Sequence, residues 1–104
     1  MAKTRFSIIM DYFNALRQAD KLSEAAEKLK LRKNEVERYI NEVRQCWTGD
    51  NASLYLAKLE TSKNNIEKLS KNLVGVANIV KRIAQRTYET EMATLEISQR
   101  RNYH

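Results

Sequence analysis

At 104 residues, with no proline and 42% hydrophobic against 31% charged side chains, the chain is too apolar to be disordered and too short for more than one domain. A formal charge of +6 and a pI near 9.6 suit an anionic partner, but Lys, Arg, Asp and Glu are interleaved, which excludes a basic tail. The lone Cys46 excludes an internal disulfide, and no stretch approaches the roughly 20 apolar residues that span a bilayer.

The chain opens with "MAKTRFSIIMDYF", in which Asp11 interrupts Ile8, Ile9 and Met10 before an apolar core of signal-peptide length can form. The expectation is a protein made in the cytoplasm without a general secretory signal. From there apolar residues fall at Ile8, Tyr12, Ala15, Ala19, Leu22, Ala26, Leu29, Val36, Ile40, Val43 and Trp47, alternating steps of four and three with one gap at Lys33. This is one helical stripe. Ile9, Phe13 and Leu16 lie beside its first turns and widen the apolar sector beyond the ~100° that one facing helix covers.

Between residues 46 and 52 stands "CWTGDNA", with the only tryptophan and one of two glycines. Gly49 suits the left-handed position that ends a helix, and Asp50 or Asn51 suits the cap of the next one. The stripe resumes at Ala52, Tyr55, Leu59, Ile66, Leu69, Leu73, Val76, Val80, Ile83, Tyr88, Met92 and Leu95, with Ser62 as its polar gap. Gly75 lies inside this second pattern, at a place where a close helix crossing would be tolerated. The polar end "SQRRNYH" reads as frayed.

The expected fold is therefore all-α: one helical-hairpin domain over residues 1–104, with helix 1 over about 4–46, a turn at 47–50 and helix 2 over about 51–98. Two helices of about 60 Å each cover only part of one another's apolar sector, so an antiparallel two-helix hairpin is expected to dimerise into a four-helix bundle. Ile9, Phe13 and Leu16 are the expected partner-facing apolar residues.

Chemistry-bearing clusters are absent from the pattern. The sole histidine is His104, Cys46 has no histidine near it in sequence, and no Gly-rich phosphate loop occurs. No catalytic, cofactor or metal site is expected, and no enzyme activity.

Trp47-any-Gly49, Ala52 three residues after Gly49 and Tyr55 eight after Trp47 occupy the turn between two helices of similar length. In this the chain resembles the WxG family of small type VII, early-secreted-antigen-like secretion substrates. The resemblance implies a helical hairpin that forms homodimers or heterodimers with a similar helical protein. It also implies export through a membrane-embedded ATPase machine, as an effector or as a chaperone-like partner of a larger toxin with a helical N-terminus. Trp47, Gly49, Ala52 and Tyr55 would form the recognition turn. The family's C-terminal Tyr-x-x-x-Asp/Glu export signal has only a degenerate counterpart, since Tyr88 is followed at the fourth position by Met92, with acids at Glu89 and Glu91. Tyr88 and Glu91 share a helix face, and the departure favours a partner that supplies the signal. The basic balance is a second departure, relatives being often acidic.

An alternative reading is a helix-turn-helix DNA-binding regulator with a long C-terminal dimerisation helix. "SEAAEKLKLRKNEVERYI" places Ala25, Ala26, Leu29, Leu31, Val36 and Tyr39 at apolar positions, with Arg32, Lys33, Asn34 and Arg38 able to face DNA. Lys30 replaces the usual turn glycine, and the acids Glu24, Glu27, Glu35 and Glu37 oppose a continuous phosphate-binding face. Nucleic acid is thus not the expected partner.

Overall fold

In the computed structural model, which describes residues 3–102 with side chains to Arg101, the chain forms two helices, α1 (Arg5–Cys46) and α2 (Asp50–Asn102), paired as an antiparallel hairpin. Helix α1 starts on a reciprocal cap. The Ser7 backbone N–H donates to Thr4 Oγ1 and the Thr4 N–H to Ser7 Oγ, both at 3.1 Å, so two otherwise orphaned amides are satisfied. It ends where the Trp47 N–H bonds the Val43 carbonyl at 2.9 Å. Gly49 then takes φ +110°, a backbone state that a Cβ disfavours.

Gly49, and neither Asp50 nor Asn51, precedes α2. Its carbonyl accepts the Ser53 N–H at 3.1 Å and the Ser53 hydroxyl at 3.3 Å. Asp50 is instead the first helical residue, where its charge faces the positive end of the helix dipole. At the other end α2 continues past the expected stop at 98 to Asn102. Arg100 pairs with Glu96 at 3.0 Å, and Arg100 and Arg101 complement the dipole of the last turn.

Helix α1 runs unbroken through residues 23–40. The turn that a helix-turn-helix reader requires in that segment is not there.

The helix pair packs as two compact units: a terminal unit, from the chain up to Leu22 with the chain from Gly75 onward, and a turn unit, Ser23–Val74. In the terminal unit Ile8, Ala19, Ala77 and Ala84 are buried, with Tyr12, Ala15, Val80 and Tyr88 half-buried around them. In the turn unit Ala26, Ile40, Val43 and Ala52 are buried, and Leu29, Val36, Leu59, Ile66 and Leu73 are half-buried. On α1 this is the stripe that the periodicity predicts, except that Trp47 remains exposed.

On α2 the expected inward row departs at four positions: Tyr55 is exposed, and three others give way to the residue that follows. Leu69, Val76 and Ile83 are exposed, and Ser70, Ala77 and Ala84 point inward in their place. The reason is steric. Small side chains let two backbones approach, and in the turn unit Ser70 Oγ reaches across to donate to the Ala26 carbonyl at 2.9 Å. A leucine-sized side chain there would hold the helices apart. Gly75 plays no part in such an approach: nothing lies within 4 Å of where its Cβ would be.

Candidate functional site

The four recognition-turn residues come together in the turn unit. Ala52 is buried. Trp47, 45% exposed, packs its ring 5.7 Å from that of Tyr55 at a tilt of 49°. Tyr39 adds an edge-on contact to Tyr55 at 6.5 Å. Such offset and edge-on arrangements are the favourable ones for aromatic quadrupoles. The cluster is thus a half-exposed aromatic platform fixed to the residues on both sides of Gly49. The neighbouring Tyr55 side chain pushes the Tyr39 phenol above its ordinary value. Tyr39 was legible only as a helix-face residue; two four-residue steps, Tyr39 to Val43 to Trp47, put it on the same side of the chain as the tryptophan, and its ring contact is with Tyr55.

Further along the turn unit, Glu60 accepts from Arg44 at 3.1 Å and pairs with Lys63 at 3.0 Å. Lys63, assisted by Arg44, holds the Glu60 carboxyl below its ordinary value, and Glu60 in turn raises Lys63. Of these links Arg44–Glu60 ties α1 to α2, and Glu60–Lys63 lies within α2. Both remain in reach of solvent, so their contribution to stability is small.

Tyr88 and Glu91 belong to the terminal unit, apart from the recognition-turn residues. They line a groove of about 240 Å³ together with Ile8, Tyr12, Val80 and Ile83. The Tyr88 ring stacks at 4.9 Å on Tyr12, whose hydroxyl donates to Gln85 Oε1 at 2.8 Å. Glu91 is already engaged: Lys3 Nζ donates to its carboxylate at 2.7 Å and to Asp11 at 3.3 Å, which raises the Lys3 ammonium above its ordinary value. The pair therefore shares one groove, but Tyr88 is half-buried and Glu91 carries a cation from its own chain.

Of the expected partner-facing residues, Phe13 is 51% exposed and in contact with the Tyr12 ring, while Ile9 and Leu16 are half-buried beside it. The periodicity missed a second exposed apolar row, on α2, that includes Val76, Ile79, Ile83 and Ile97. Together these rows form an interaction surface of a kind rarely left bare on a soluble monomer.

Among the described residues no polar or charged side chain is buried, and no three His, Cys, Asp or Glu side chains cluster as metal ligands would. No described helix is long and apolar enough to cross a membrane. Compared with known proteins, the chain matches no family model, no curated protein and no solved structure.

Proposed function

We propose that this chain is a non-enzymatic helical-hairpin protein of a type VII secretion system, of the WxG kind, exported as an effector or as the chaperone-like partner of a larger toxin. The observation that carries the reading is the turn itself. A Trp-any-Gly sequence sits between two long antiparallel helices, its glycine at positive φ and its tryptophan half-exposed on a small aromatic platform. A tryptophan that served only as core would be covered more fully.

The protein acts by binding. Its exposed α1 row is covered through a homodimer or a heterodimer with a similar helical chain, with Ile9, Phe13 and Leu16 at the centre of the contact. Tyr88 and Glu91 serve as the degenerate export signal, which becomes available when Lys3 releases Glu91.

Secretion and association test the reading together. In a cell with an intact type VII system, Trp47→Phe should preserve helicity and melting temperature while export falls at least severalfold. Undiminished export of Trp47→Phe, or export that persists when the system's ATPase is deleted, would overturn it. Light scattering on the purified chain, alone and mixed with similar hairpin proteins encoded beside it, should report about twice the 12.2 kDa chain mass.

A further inference from the structure

The run from Lys68 through Tyr88 on α2 contains Lys68, Lys71, Lys81, Arg82 and Arg86 and not one acid. The terminal unit as a whole carries nine basic against five acidic side chains, an excess of four out of the chain's +6. Three of those acids are already engaged, Asp11 and Glu91 by Lys3 and Glu96 by Arg100. Arg82 and Arg86 are exposed and form no ion pair among the described residues.

These two arginines do not stand alone. Val76, Ile79, Ile83 and Arg86 are spaced i, i+3, i+7 and i+10, one continuous stripe on a helix, and Arg82 flanks it one turn after Ile79. Val76, Ile79 and Ile83 are 46%, 51% and 58% exposed. A row of branched aliphatic side chains bordered by unpaired guanidinium groups is an amphipathic face with a cationic edge.

We propose that this face docks onto an anionic lipid surface, with Val76, Ile79 and Ile83 entering the headgroup layer and Arg82 and Arg86 meeting the lipid phosphates. Charge complementarity selects this occupant. A second copy of the chain would bring the same arginines and the same excess of positive charge, so like charges would oppose one another across a symmetric contact. A polynucleotide offers phosphates but no apolar interior, and the three aliphatic side chains would stay in water. An anionic bilayer offers both, and a helix of this kind lies in the interface rather than crossing it. The proposal is independent of the secretion reading, which places its partner contact on Ile9, Phe13 and Leu16 of α1.

The experiment is flotation of the full chain with two kinds of vesicle, phosphatidylcholine alone and phosphatidylcholine with about one third phosphatidylglycerol, at about 0.1 M salt. The chain should float with the anionic vesicles and not with the neutral ones. Arg82→Gln with Arg86→Gln should weaken binding at least about tenfold, and Ile79→Ser with Ile83→Ser should weaken it severalfold. Both pairs are exposed, so helicity by circular dichroism should stay unchanged. A control that removes the same charge from the turn unit, Lys28→Gln with Lys58→Gln, should cost less than about threefold, because the whole-chain charge acts only through a screened long-range field. Equal loss in the control, undiminished binding of the isoleucine variant, or no flotation with anionic vesicles would overturn the proposal. A random DNA duplex bound with the same dependence on the isoleucines would assign the face to nucleic acid and overturn it as well.

Discussion

The two units are built from the same two helices, yet they hold them together differently. In the turn unit the helices are tied by polar links from Ser70 to the Ala26 carbonyl, from Arg44 to Glu60 and from Lys63 to Glu37, and Tyr39, Trp47 and Tyr55 gather into one aromatic cluster. The terminal unit has fewer such ties and more uncovered apolar surface, with Phe6, Phe13, Ile79, Ile83 and Ile97 all at least half exposed. Cross-links and burial go with self-sufficiency, whereas an uncovered apolar row next to unpaired cations marks a surface that something else completes. The contrast puts more of the polar cross-links in the unit that contains the turn and the most uncovered apolar rows in the unit that pairs the start of α1 with the end of α2.

The largest effect should come from emptying either core. Ile8 and Ile40 are each 2% exposed, one in each unit, and truncating either to alanine should cost roughly 2–4 kcal/mol. Amide exchange then sharpens the comparison. Ile8→Ala should speed exchange mainly in the terminal unit, and Ile40→Ala mainly in the turn unit, if the units open separately. Uniform acceleration by both variants would mean that the hairpin opens as one body.

The two glycines give a smaller pair of effects of opposite sign. At neither does any atom lie within 4 Å of the place a Cβ would take, so crowding decides nothing at either site. Gly49 holds φ +110°, and Gly49→Val should lose about 1–2 kcal/mol from backbone strain alone. Gly75 lies in helical backbone and is exposed, so Gly75→Ala should gain about 1 kcal/mol. Thermal melting of the two variants checks both signs.

The smallest effect is electrostatic and belongs to the turn unit. Glu60 is held below its ordinary value in the folded chain, chiefly by Lys63. Its contribution is therefore complete above the unfolded carboxyl's value and is lost as the pH falls through the folded one. A carbon-detected titration should place the Glu60 midpoint below 4.5, and Lys63→Met should return it toward that value. No change on Lys63→Met would remove this tie from the account of the unit.

Much of the hairpin was legible from spacing. The stripe from Ile8 to Val43 faces inward on α1, and Gly49 ends the first helix, because a period near 3.5 and a residue without Cβ act locally and need no knowledge of the partner helix. The ends of the helices were less so. The polar end from Ser98 suggested fraying, but the Glu96–Arg100 pair and the arginines facing the dipole carry α2 to Asn102.

What only the tertiary structure decided is which of two neighbouring rows of α2 meets α1. Hydrophobicity favours the row of Leu69, Val76 and Ile83, and the row of Ser70, Ala77 and Ala84 lies one residue, or about 100° of helix, away. At these positions the second row wins because Ala19 and Ala26 on α1 are small and buried and permit a close approach that large side chains would block. That choice turns Val76 and Ile83 outward and so creates the exposed face. It cannot be read from either helix alone, since the gain lies in the distance between the two backbones. The Lys3 contact with Glu91 is of the same kind: it spans 88 positions in the chain, and only the antiparallel pairing brings those two charges within reach.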